Sequence, residues 1–154
     1  MKKFSCTVCM LFFSLFLSVS CKDERRACLN PPPSLLFKVL DANNEPLITA
    51  SNSGTVKISY LKAGSKNYVS NLRVLNSPEN SNQYLVENYD IIQVAKGSNA
   101  TIFTLEIDQQ PVGEIQLKTY QKDTDCDNWE HVSEASFNGK VITRNESGHY
   151  MFKI

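Results

Sequence analysis

His131-Val132-Ser133-Glu134-Ala135-Ser136-Phe137-Asn138-Gly139-Lys140-Val141-Ile142-Thr143-Arg144 is the stretch that decides the fold. At its centre, Asn138-Gly139 is the strongest short-range hairpin signal, because a two-residue type I′ turn needs positive φ at both central positions. The flanks therefore read as two antiparallel strands, 131–137 and 140–144. A second turn cluster, Asn145-Glu146-Ser147-Gly148, precedes His149–Ile154, where Tyr150, Phe152 and Ile154 share one face. The expectation is a meander of three strands over 131–154.

The same period of two recurs upstream. In 101–107, Phe103, Leu105 and Ile107 oppose Ile102 and Thr104; Gln109-Gln110-Pro111 ends that strand. In 112–120, Ile115 and Leu117 oppose Glu114, Gln116 and Lys118. Val56, Ile58 and Tyr60 oppose Lys57 and Ser59 in 55–61, and Ala63-Gly64-Ser65-Lys66-Asn67 reads as a turn. Segment 68–75 reads as one strand, 76–82 as a loop, and 83–94 as one or two strands broken near Asn88. Segment 34–40 (Ser-Leu-Leu-Phe-Lys-Val-Leu) reads as a mostly buried strand, 41–46 as a turn, and 47–50 as a short edge piece. No stretch sustains a 3.6-residue period, and no internal repeat aligns. The pattern predicts an all-β chain: an antiparallel β-sandwich of about eight to nine short strands, immunoglobulin-like or similar. One domain, 34–154, accommodates it.

The other end of the chain carries an address. Lys2 and Lys3 precede an uncharged run, 4–19, whose apolar centre is Met10–Leu17. That run falls short of the roughly 20 apolar residues a spanning helix needs, and has the length and flanks of a secretory signal peptide. Ser18-Val19-Ser20 has the small-x-small form of a cleavage site, which places the cut before Cys21 and makes 1–20 the leader.

A cysteine at the first mature position resembles the lipobox of bacterial lipoproteins, in which that thiol receives a diacylglycerol. The family prefers Leu three residues before the cysteine; here that place holds Ser18, with Leu17 one further back. The resemblance implies a lipid bilayer as partner through acylated, palmitate-type chains on Cys21. Two or more such chains anchor stably where one does not. Lys22-Asp23-Glu24 resembles the charged tag of lipoproteins sent to the outer face of the outer membrane in some Gram-negative bacteria, and reads equally as a solvated tether; the expected site is the outer membrane, facing the periplasm or the cell surface. Residues 21–33 are then a lipidated tether, stiffened by Pro31-Pro32-Pro33.

Cysteine parity agrees. Of five cysteines, Cys6 and Cys9 leave with the leader and Cys21 is taken by lipid. Cys28 and Cys126 remain, as a disulfide, two buried thiols or a metal pair. Export favours the disulfide. It would close a loop of about 100 residues and stabilise the fold by about 4–5 kcal/mol in the chain-entropy picture.

Function is less legible. Basic and acidic residues number 16 each, and removing the leader leaves two more acidic than basic. The basic residues are scattered, so there is no footprint for nucleic acid. Asp123, Asp125, Asp127 and Glu134 fall at positions 1, 3, 5 and 12 of a calcium-loop spacing. However, Asn128 replaces the turn glycine, Glu130 occupies the apolar position, and the flanks read as strands. The competing reading is a solvated acidic connection. Trp129, the single tryptophan, is a candidate sugar-stacking surface or a packing residue. His131 and His149 lie at strand starts, where surface histidine is common, and no catalytic partner can be named for either. Asn99-Ala100-Thr101 and Asn145-Glu146-Ser147 fit the glycosylation pattern but read as turns. No nucleophile, phosphate-loop or zinc-helix motif occurs.

Asp125-Cys126-Asp127, Phe137-Asn138-Gly139 and the aromatic final strand resemble small β-sandwich lipoproteins of unknown role. That likeness implies a fold rather than an activity. The sequence thus predicts an envelope lipoprotein acting as a binding or structural module without enzymatic activity or a bound cofactor. Its alternative is an accessory that captures glycan or calcium (Ca2+) through the Asp123–Glu134 loop.

Overall fold

The computed structural model describes residues 31–78, 82–96, 102–122 and 129–154. The chain is an all-β sandwich with ten strands among the described residues. These are β1 (Leu35–Leu40), β2 (Lys57–Lys62), β3 (Ser65–Tyr68), β4 (Arg73–Asn76), β5 (Tyr84–Asn88), β6 (Ile102–Ile107), β7 (Gln110–Gln121), β8 (Glu130–Phe137), β9 (Lys140–Ile142) and β10 (Tyr150–Lys153). One short helix, α1 (Asp90–Ala95), follows β5. A four-stranded sheet runs β10-β1-β5-β4 and a six-stranded sheet runs β3-β2-β6-β7-β8-β9.

The alternating residues meet between the sheets. Leu35, Phe37, Val86 and Phe152 from the smaller sheet bury fully against Ile58, Phe103, Leu105, Ile115, Ala135 and Phe137 from the larger one. Removing these side chains from water is the main favourable term in folding. One aromatic contact ties the layers, Phe137 stacked on Phe152 at 4.7 Å, and within the smaller sheet Phe152 stacks in turn on Phe37 at 4.6 Å.

The β8–β9 hairpin forms where expected, with φ of 50° at Asn138 and 75° at Gly139. Asn138 also bonds sideways to β7: its Oδ1 accepts the Glu114 N–H at 2.8 Å, and its N–H donates to the Glu114 carbonyl at 2.9 Å. The turn at 41–46 is likewise as read, because Asp41 Oδ1 accepts the N–H groups of Asn43 and Glu45, both at 2.8 Å.

Several expectations are corrected. The final strand does not complete a meander. After one antiparallel bridge, Arg144 to Tyr150, β10 crosses to the other sheet and pairs in parallel with β1, Phe37 opposite Tyr150 and Val39 opposite Phe152. Residues 68–75 are not one strand: β3 ends in the six-stranded sheet and β4 begins in the four-stranded one. The crossover bends at Asn71, which has φ of 54°. The Asn88 Nδ2 holds it by donating to the Ser70 carbonyl at 2.6 Å.

Ile91 and Ile92 lie on α1, not on a strand. Asn88 Oδ1 accepts the Ile91 N–H at 2.7 Å and so starts the turn, a local side-chain bond competing with the ladder. Both isoleucines and Ala95 are buried. Finally, β6 and β7 are joined at Asp108-Gln109, both at positive φ (52° and 64°), while Gln110 and Pro111 belong to β7. Pro111 sits at a register shift opposite Glu106, a place where a strand tolerates a residue with no N–H. The piece at 47–50 forms no strand. Its neighbour Pro46 bridges Leu40, and Ile48 is buried.

Candidate functional site

Strand pairing brings polar residues of three strands together on the outer face of the six-stranded sheet. Lys57 lies opposite Glu106 and Ser59 opposite Thr104, which puts all four on one face of β2 and β6. Ser59 is also opposite Tyr68, and Leu61 opposite Lys66, so β3 adds Tyr68 and Lys66 to that face. The inner face of the same strands carries Ile58, Phe103 and Leu105, which fixes the outward aim of their neighbours.

Glu106 is the focus of the cluster. Although it points away from the core, only 4% of it is exposed. Its Oε1 accepts the Ser59 hydroxyl and meets the Lys66 ammonium at 2.8 Å. Burial by itself would raise the Glu106 pKa. The hydrogen bonds from Lys66 and Ser59, with the charges of Lys66 and Lys57, outweigh it and hold the carboxyl below its ordinary value. Conversely, Glu106 raises Lys66. The pair is therefore fully ionised at neutral pH. Lys57 and Lys66 flank the Tyr68 ring at 5.5 and 5.3 Å.

A groove of about 720 Å³ opens beside this pair, walled by Leu61, Ile102 and Pro111 and floored by Ser59, Thr104 and Glu106. That size suits a small organic ligand. Leu61 is 73% exposed and Ile102 44%, so two large apolar side chains face solvent at its edge. The arrangement can hold a ligand by an apolar wall and a fixed carboxylate. The sequence pattern did not single it out, because Lys66 read as a turn residue and Ser59 as an ordinary solvent-facing one. A signal did exist: Glu106 is the one charged residue in Ile-Phe-Thr-Leu-Glu-Ile.

The residues singled out from the sequence lie elsewhere. Cys21, Cys28, Cys126, Asp123, Asp125 and Asp127 fall outside the described residues. Glu134 lies within β8, where its carboxylate meets Lys118 Nζ at 2.7 Å across the β7–β8 ladder. Among the described residues no group of three or more His, Cys, Asp or Glu is placed to hold a metal ion. Trp129 is half-buried and packs edge-on to Tyr89, ring centroids 6.1 Å apart. Beside it, Glu130 is buried, with Lys96 Nζ at 3.8 Å.

His131 stacks on Tyr120 at 5.6 Å. His149 is not at the surface as expected. It is buried, with its Nε2 2.9 Å from Asn145 Nδ2 and its N–H donated to Asn145 Oδ1 at 3.0 Å. Its ring thus braces the last turn, where β10 leaves for the other sheet. Among the described residues no helix is long and apolar enough to cross a membrane. No family model matches the chain, and neither a curated protein nor a solved structure is significantly similar to it.

Proposed function

We propose that the protein is a lipid-anchored envelope lipoprotein whose β-sandwich acts as a binding or structural module. Its work is recognition, not catalysis. The observation that carries the reading is the succession of residues at the start of the chain: Lys2-Lys3, an uncharged run, then Ser18-Val19-Ser20-Cys21 followed by charge. The start of the domain supports it. β1 begins at Leu35, directly after the proline run, and Leu35 is fully buried. A tether over 21–33, stiffened by its prolines, would lead straight into this core strand and hold the sandwich off the bilayer. The outer membrane, on either its periplasmic or its external face, is the site this reading implies.

Cys21→Ala tests the anchor. The variant is expected to move from the membrane fraction to the soluble fraction of lysed cells, or to remain as uncleaved precursor without acyl label. A variant that carries label and sediments as the parent does would remove the lipid anchor from the proposal.

One observation favours the alternative, capture of glycan or calcium at the 123–134 loop: Trp129 is only half-buried there. Calcium is the weaker half, since Lys118 already neutralises Glu134. Titrating calcium and a polysaccharide panel against Trp129 fluorescence separates these. Saturable change supports the alternative, and a flat response to both withdraws it.

A further inference from the structure

The groove beside Glu106 holds more binding capacity than the fold uses. Glu106 takes both Ser59 and Lys66 on one oxygen, Oε1, which leaves acceptor capacity on its second oxygen, Oε2. A buried carboxylate retains acceptor capacity on each oxygen, and a charged donor is its strongest partner. The lining carries two carboxylates, Glu106 and Glu114, and one ammonium, Lys66, with Lys57 next to Glu106 on the same face outside the lining. Leu61, Ile102 and Pro111 add an apolar wall within the same groove.

Lys66 itself indicates what fits. It sits on β3, a four-residue edge strand, and its side chain is 51% exposed while its ammonium reaches the nearly enclosed Glu106. Its stem comes from the rim, not the floor. An ammonium on a mobile stem, laid beside apolar residues, is what a small amphiphilic cation would present there.

We propose that this groove binds an organic cation with an apolar body, its ammonium donating to Glu106, and that Lys66 is a tethered occupant which such a ligand displaces or joins. In the bound state the ligand's ammonium donates to Glu106 beside that of Lys66 or in its place. The apolar body covers Leu61 and Ile102, which otherwise face water. An anion is disfavoured because Glu106 and Glu114 both face the groove. This inference does not depend on the lipid anchor, since it concerns the sandwich alone.

The test uses the purified full chain and dansylcadaverine, a fluorescent aromatic body with a primary ammonium on a five-carbon stem. The neutral control is the dansyl pentylamide, which lacks the amine. Saturable binding of the cation is expected, with the neutral probe weaker by about tenfold, the loss of one charge-assisted hydrogen bond. Glu106→Gln is expected to weaken the cation by about as much and to leave the neutral probe unchanged. Lys66→Met, which frees the carboxylate and keeps the stem, is expected to tighten cation binding. Leu61→Ser, at an exposed rim position, is expected to weaken both probes.

Equal affinity for the two probes, or no saturable binding, overturns the site. Unchanged or weaker cation binding in Lys66→Met overturns the role given to Lys66. Should Glu106→Gln fail to fold, the probe pair and the Lys66 and Leu61 variants still decide the matter.

Discussion

The rings of Phe137 and Phe152 lie parallel, 1° apart in tilt and 4.7 Å between centroids, although they belong to different sheets. Phe137 ends β8 beside the Asn138-Gly139 turn, and Phe152 lies in β10 on the parallel partner of β1. Phe152 also stacks on Phe37, so one aromatic column spans the sandwich. Both rings are essentially without solvent contact. Replacing Phe152 by Ala should therefore cost about 3–5 kcal/mol, the range for a buried aromatic that leaves a cavity. Val141→Ala, at an outer position 64% exposed, should change stability by less than about 0.5 kcal/mol. Urea denaturation of the two variants checks this. Similar midpoints would show that the column does not join the layers.

Gly113 makes room for that column. A Cβ there would lie 2.1 Å from the Phe137 ring, and the ring cannot retreat because Phe152 backs it. Gly113→Ala should destabilise by about 1–3 kcal/mol, the usual cost of overpacking a filled core. Combining it with Phe137→Leu should cost less than the sum of the two single changes, since the smaller side chain relieves the clash. Additive losses would place the cost somewhere other than this contact.

Acid should weaken the outer-face ion pair. Glu106 has a lower pKa folded than unfolded, so the native state binds fewer protons in the window between the two. Its contribution is complete above the ordinary carboxylate value and is lost as pH falls through the folded value. Glu106→Gln should lower stability at neutral pH by about 1.5–3 kcal/mol, the range for hydrogen bonds to charged groups. The gap between parent and variant should then narrow on acidification. A gap that stays constant with pH would show that Glu106 is not protected by Lys66 and Ser59.

The β6–β7 turn stores strain that can be released. Asp108 and Gln109 both adopt positive φ, and neither is glycine. Thr55 holds the turn: its Oγ1 donates to Asp108 Oδ1 at 2.8 Å and accepts the Asp108 N–H at 3.0 Å. Gln109→Gly creates the Asp-Gly pair preferred in type I′ turns and should stabilise by about 1 kcal/mol, the cost of left-handed geometry for a residue with a Cβ. A lower thermal midpoint for this variant would mean that the Gln109 side chain outweighs the strain.

Sequence pattern and structure parted at particular residues. Asn88 was legible as a break but not as the residue that starts a helix. Its amide reaches Ser70 and Ile91 at once, and only the second of these is local. Segment 68–75 looked continuous because Val69, Leu72 and Val74 are all apolar. Yet Val69 directly follows β3 and Val74 lies in β4, strands of different sheets, so an apolar run continued through a crossover. Glu106 read as a polar residue on an outward face, which is correct. Its burial could not be read, because the residues that enclose it come from three different strands.

The sequence by itself determined the class of fold and the two turns that matter most for it. Alternation of apolar side chains and the φ demands of Asn138-Gly139 are properties of neighbouring residues, and they act wherever the segment is placed. Only the tertiary structure decided which strands meet. The parallel pairing of β10 with β1, the aromatic column from Phe37 to Phe137, and the groove beside Glu106 each join residues far apart in the chain. Their free energy comes from shared burial and converging charge, which exist only once the two sheets close on one another.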